Sequence, residues 1–441
     1  MNRFVHRIVS ARTRSAIPKE ILYQEIARKK VVWFGEIHSE DRIVAFQNDL
    51  LKSMTADGCE SGKLHVILEH FSMDMQCLLD TFQSNPKFSF EQLKQAYKDI
   101  GTEGHNLDPY RGLLMFCKQS KMPGFQFKEE IDFNSIPDSV FQDGKSANCE
   151  IHLYGGFMPR PLAGRLNKAE SMEEKRALFE ELYEKDFLPP RSSPAHNALF
   201  LDPDRFLLKG SQPHFRLIQS LMSGQDLYDP TDQEPELKDM ADLSTPISRL
   251  YQAQVLKDHA MGYFLSKLMT KNHQDRFLVI AGMGHCKHFL GVPECLEGYL
   301  LQAQSSCDLD PVQKKAAILI QKETSARAAM IGCQMLYETY LEERYHPLQA
   351  AIETAENDEK KGGLEKQKAM NNLYLRQRQL FDTLILESEV IQGPLFNQST
   401  GIGRFKKPSF DYCFVYDEDD DCVVSSNVCP ESSDKEQAKA I

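Results

Sequence analysis

The sequence predicts an α/β domain: a mostly parallel sheet flanked by helices, with a helical hairpin inserted near the C-terminus. Three observations predict it. Short apolar runs bounded by turn residues recur along the chain, amphipathic helical patterns fall between them, and ionisable residues stand directly after three of the runs. Strands that alternate with helices build parallel sheets, whose strands read as apolar throughout because helices cover both faces.

The first 24 residues read as a transit peptide or a basic tail. Arg3, Arg7, Arg12, Arg14 and Lys19 all precede the first acid, Glu20. On a helix Phe4, Val5, Ile8 and Val9 would share one side, and an acid-free, Arg-rich amphipathic start fits import into a mitochondrion or plastid. Without such an address the chain is cytoplasmic. From residue 25 to 305 the α/β domain follows. Its strands are expected at 31–34, 64–68, 151–154 and 277–281, and its helices at 42–54, 74–82, 173–184, 214–222 and 247–269. Residues 123–146 lack periodicity and read as an irregular insertion. Residues 306–395 hold the hairpin. Met330, Cys333, Tyr337, Leu341, Tyr345, Leu348 and Ile352 form one stripe, and Met370, Leu373, Leu380 and Leu384 form another after Gly362-Gly363. A final strand at 412–416, within residues 396–416, returns to the sheet, and the acidic end from 417 to 441 reads as disordered.

Composition narrows the function classes. Lys and Arg number 52 against 64 Asp and Glu, a net charge of −12, whereas nucleic-acid binding calls for a basic surface. No apolar run approaches the roughly eighteen residues of a membrane span. The 11 cysteines are scattered without C-x-x-C spacing, which reads as reduced thiols and not as a disulfide framework.

The placement of polar residues is the most informative feature. The run 31–34 leads into Gly35-Glu36-Ile37-His38, the run 64–68 into Glu69-His70, and the run 277–281 into Gly282-Met283-Gly284-His285. Ligands of open α/β sheets bind at the carboxyl ends of the strands, so three strands deliver carboxylates and imidazoles to one rim. Glu36 and Glu69 can ligate a hard cation or take a proton, and His38 and His285 can act as metal ligands or bases. His38, Glu69 and His285 are the candidate metal set. Arg160 offers a bidentate clamp for a carboxylate. His70, Cys286 and His288 also fall near the rim, and Tyr110 and Tyr154 are candidate ligand-binding tyrosines. Phe34, Phe71, Phe157 and Phe289 stand beside the polar residues as a candidate apolar wall.

These residues resemble the ChaN-like haem-binding proteins, relatives of the Tiki metalloproteases, TraB-type proteins and erythromycin esterases. The matching stretches are Gly35 to His38 with Phe46-Gln47, Leu68-Glu69 with Gln76 and Asp80, Tyr110, Pro159-Arg160, and Gly210 with His214. Ala253-Gln254 with Asp258 and Met261 follows, then Ala281 to His285 with Gly291-Val292-Pro293, and last Asp411-Tyr412. The resemblance implies haem binding linked to iron acquisition, with the haem held by a tyrosine between two protomers of a homo-oligomer. Glu36, His38, Glu69, Tyr110, Tyr154, Arg160, Gly284 and His285 are then the candidate cofactor-binding set. The alternative is a metal-dependent hydrolase, protease or esterase, in which Glu36, His38, Glu69 and His285 surround a divalent ion that activates water. In either case the partner is haem or another small molecule. A third reading makes the protein an assembly module with a lapsed site.

Overall fold

The strands form because the apolar runs bury both faces. In a computed structural model, which describes residues 7–10, 15–27, 29–56, 63–121, 149–223, 240, 242–305, 311–335, 350, 361, 364 and 412–416, every apolar run named above is a strand. The strands are β1 (Arg7–Ser10), β2 (Ser15–Ile17), β3 (Val31–Glu36), β4 (Lys63–Ser72), β5 (Glu150–Phe157), β6 (Phe200–Asp202), β7 (Leu207–Leu208), β8 (Arg276–Gly282), β9 (Ala328–Met335) and β10 (Tyr412–Tyr416). All except the small β6–β7 ribbon join one sheet in the order β2-β1-β10-β9-β3-β8-β4-β5. From β10 to β5 every pairing is parallel, and only β1 and β2 run antiparallel at one edge.

The helices are α1 (Lys19–Ala27), α2 (Asp41–Ala56), α3 (Gln76–Ser84), α4 (Phe90–Ile100), α5 (Arg111–Ser120), α6 (Arg160–Lys168), α7 (Met172–Glu184), α8 (Pro194–Asn197), α9 (Gln212–Ser223), α10 (Pro246–Lys271), α11 (Val292–Ser305) and α12 (Pro311–Arg327). Alternation along the strands sorts them into two layers. Val32, Phe34, Val66, Leu68, Leu278 and Ile280 pack on one face against the apolar sides of α1 to α5. Val31, Trp33, Ile67, Phe277, Val279 and Ala281 pack on the other against α10, α11 and α12. Starts are set locally: Ser89 and Gln92 form a capping box before α4, Ser171 and Glu174 another before α7, and Thr245 caps α10 with Pro246 in its first turn. Among the described residues no helix is long and apolar enough to cross a membrane.

Three expectations change. Residues 7–10 and 15–17 are strands, not an amphipathic helix; Ile8 and Ser10 are buried, and removal of the first 24 residues would take β1 and β2 out of the sheet. Residues 311–327 are helical as expected, but the stripe containing Met330 and Cys333 begins in β9, which fills the place between β3 and β10. A short apolar segment does not by itself distinguish a strand buried on both faces from a helix, and here sheet pairing decides. Cys77, Cys117, Cys286 and Cys295 are free thiols, whereas Cys149 is disulfide-bonded. The second half of the hairpin, the insertion at 123–146 and the acidic end lie outside the described residues.

Candidate functional site

The strands β3, β8 and β4 are neighbours, so their carboxyl ends meet. Glu36 closes β3; the chain then turns through His38 and Ser39, whose φ of 59° is left-handed, before α2 begins. Glu69 and His70 lie near the end of β4, and a 3₁₀ turn after β8 presents His285. The segment after α4 brings in Glu103 and His105, and α10 brings Lys257 and Asp258 across the rim.

Glu36 is the hub of one half. Its Oε1 accepts from the Tyr110 hydroxyl at 2.7 Å and stands 2.7 Å from His38 Nδ1 and 2.8 Å from His70 Nε2, while Oε2 accepts from Gln47 Nε2. Burial alone would raise its pKa, but the His70 and His38 imidazoles hold it well below the usual carboxylate range. In the neutral ring the bond to Glu36 places the His38 proton on Nδ1 and the lone pair on Nε2, which lies toward Glu69. Burial works against protonation of His38, yet Glu36 and Glu69 together raise its pKa. Its side chain is 36% exposed, so that imidazole is the part of the hub open to solvent.

Glu69 is the hub of the other half. Its Oε2 accepts from the Gly282 amide at 2.6 Å, and its Oε1 lies 3.5 Å from Lys257 Nζ and 3.6 Å from His285 Nε2. Burial raises its pKa and the cations of this cluster more than offset that, so the carboxylate is charged. His285 Nδ1 bonds Asp258 Oδ1 at 2.6 Å, and its ring packs against Phe157 with centroids 4.6 Å apart. His38 Nε2 lies 3.8 Å from Glu69 Oε2, which joins the halves. Gly282 is what lets them approach: a Cβ there would stand 3.1 Å from His38 Nε2 and 3.3 Å from Glu69 Oε2.

The sequence signature of the family described as "Haem-binding uptake, Tiki superfamily, ChaN" matches residues 22–128 and 158–296, more than half of the chain. The chain belongs to this ChaN family. Among solved structures it is similar to a chain described as "Cofacial heme binding to ChaN of Campylobacter jejuni". The two share 15% identity over 75% of this chain and 91% of that one, at a TM-score of 0.41. No curated protein matches.

The matched ranges contain Glu36, His38, Glu69, Tyr110, Arg160, Gly284 and His285, and the fold brings these residues to one rim, with Gly284 accepting from His214 Nε2 at 3.2 Å. Arg160 is exposed at the start of α6 and its guanidinium lies beside Gly104; its backbone amide donates to Glu103 Oε1 at 2.8 Å. Tyr110 is at the site but is not an open ligand: its buried hydroxyl donates to Glu36 and accepts from the Ser39 amide, and burial drives its pKa far up. Tyr154 is away from the site. Its hydroxyl meets His65 at 3.2 Å, toward the opposite end of β4, because its place in β5 precedes the rim and faces α10. Of the four phenylalanines, Phe34 and Phe71 face the core, Phe157 lines the His285 half, and Phe289 packs below it. His38 Nε2 and His285 Nε2 flank Glu69 at 3.8 and 3.6 Å, but the three do not form a compact ligand set: among the described residues only His38, His70 and His105 bring their ligand atoms within 4.8 Å of one another.

Sequence reading missed Gln47, Glu103, His105, Lys257 and Asp258 as site groups. Gln47 and Asp258 sat in stretches already quoted for the resemblance, so a signal existed. Glu103, His105 and Lys257 carried none.

Proposed function

We propose that this protein binds haem or a related tetrapyrrole at the rim of the sheet, beside Glu36, His38, Glu69 and His285, in the handling of haem or iron. ChaN-family membership supplies the ligand class. The observation that carries the place is His38, an imidazole whose Nδ1 is tied to a charged carboxylate while Nε2 is open. A carboxylate behind an imidazole fixes its tautomer and strengthens it as an iron ligand. The neighbourhood fits the rest of the group: Phe157 gives an apolar wall, and Arg160 and Lys257 are cations for propionates, Lys257 lying 4.4 Å over the Phe157 ring. When bound, haem supplies an iron whose reactivity is set by the axial ligand and the polarity around it. The protein's own part is to present Nε2, hold Glu36 ionised and pair the carboxylates.

A haemin titration followed at the Soret band tests this. Wild type should saturate at a fixed stoichiometry with a shifted band, and His38→Ala should lose the shift while His285→Ala weakens it. Saturating divalent metal with no Soret change, together with a hydrolytic activity lost in His38→Ala, would replace haem binding with hydrolysis.

A further inference from the structure

We propose that His38, His70 and His105 form a binding site for a bare divalent transition-metal ion. This goes beyond the haem reading and does not rest on it. One nitrogen from each ring can be chosen so that all three lie within 4.8 Å of one another, and among the described residues no other group of three potential ligands does so. The rings come from three places: the turn after β3, the end of β4 and the segment after α4. Their centroids are 5.5, 4.8 and 4.9 Å apart, all edge-on. Nitrogen ligands around zinc at about 2.0–2.1 Å stand roughly 3.4 Å apart, so closing on an ion asks each ring to move by less than about 1 Å.

The second observation is the state of His70. It is 1% exposed; its Nε2 pairs with Glu36 Oε1 at 2.8 Å, and its Nδ1 has no hydrogen-bond partner. Ring packing alone leaves the buried Nδ1 without a partner, which is costly. An ion bound by the imidazole lone pair removes that cost. Glu36 lies behind two of the three rings and supplies the outer carboxylate that histidine metal sites use. Three neutral imidazoles select zinc, iron, cobalt, nickel or copper over magnesium or calcium. With His38 partly exposed, the fourth position faces solvent, so the ion would be exchangeable and not structural.

The test is a Co2+ titration of chelator-treated, dialysed full-length protein, read from the visible d–d bands. Wild type should take up one equivalent and show the intense bands of four- or five-coordinate Co2+. His70→Phe and His105→Gln should each weaken uptake by more than the roughly 10–100-fold typical of losing an outer partner. His285→Ala should bind Co2+ as wild type does. Circular dichroism checks that each variant is folded. If a variant is not, the wild-type complex still decides, since hyperfine-shifted proton resonances should come from three imidazole rings. Absence of the bands in wild type, fewer than three shifted rings, or loss in His285→Ala with retention in His105→Gln would overturn the site. Because His38 serves both ligands, Co2+-loaded protein should bind haemin more weakly. A protein that takes Co2+ but never haemin would refute the haem reading alone.

Discussion

His65 and His70 sit on the same strand, five positions apart and equally buried, yet the protein treats them differently. His65 is fully paired: Nε2 meets Asp275 Oδ2 at 2.9 Å, Nδ1 meets the Tyr154 hydroxyl at 3.2 Å, and Phe277 stacks on the ring at 4.9 Å. His70 has the same burial and pairs through Nε2 with the charged Glu36 carboxylate at 2.8 Å, but its Nδ1 has no hydrogen-bond partner. A folded protein satisfies its buried polar groups wherever only stability is at stake. The contrast separates a histidine that holds the sheet together from one with a ring nitrogen left without a partner at a site.

His65→Ala is expected to have the largest effect. It opens a cavity and leaves the buried Asp275 carboxylate without its donor, which should cost about 3 kcal/mol or more in urea unfolding. A loss under about 1 kcal/mol would break the contrast from the structural side.

A second paired histidine sharpens it through pH. His259 accepts from the Tyr299 hydroxyl on Nδ1 at 2.9 Å and donates from Nε2 to the Lys209 carbonyl at 2.8 Å, and burial lowers its pKa to about 4. The unfolded chain takes up this proton near pH 6.5, whereas the folded chain refuses it until about pH 4. Stability from this residue is therefore complete above about 6.5 and falls as pH drops through that window, by about 3 kcal/mol at most. Unfolding free energy measured from pH 7 to pH 4 should lose this part of its slope in His259→Gln.

Arg160→Ala should weaken haemin by about 1–3 kcal/mol, the range for hydrogen bonds to charged groups, without lowering the melting temperature. An unchanged haemin affinity would remove Arg160 from the site. His70→Phe should have the smallest effect on the fold. The ring packs on Tyr110 with centroids 4.0 Å apart, a contact phenylalanine keeps; the pairing of Nε2 with Glu36 is lost, but Tyr110, Gln47 and His38 still hold that carboxylate. Stability should stay within about 1 kcal/mol of wild type or rise, and a large loss would show that His70 is structural after all.

Most of this fold was legible. The strands of the parallel sheet are apolar on both sides and end in ionisable residues, and that pattern placed Glu36, Glu69 and His285 on one rim. Legibility failed where a segment's pattern is ambiguous over few residues. Ile8 sits in β1, paired on both sides, where the sequence presents a basic amphipathic stretch, and the segment at 328–335 has helical spacing but pairs with β3. Tyr154 failed on direction: its distance from the strand end was readable, but not the packing that turns its hydroxyl to His65.

The sequence by itself determined the central parallel strands, the family, and the end of the sheet at which ionisable residues collect. Hydrophobic burial acts over whole elements and leaves a periodic trace in the residues. The tertiary structure decided who pairs with whom. Tyr110 reaches Glu36 across 74 residues of chain, and Gly282 donates to Glu69 across 213. His105 enters from a segment with no pattern at all. Hydrogen bonds and ligand sets depend on differences of a few tenths of an ångström between parts of the chain that the sequence does not order relative to one another, so only the folded positions set them.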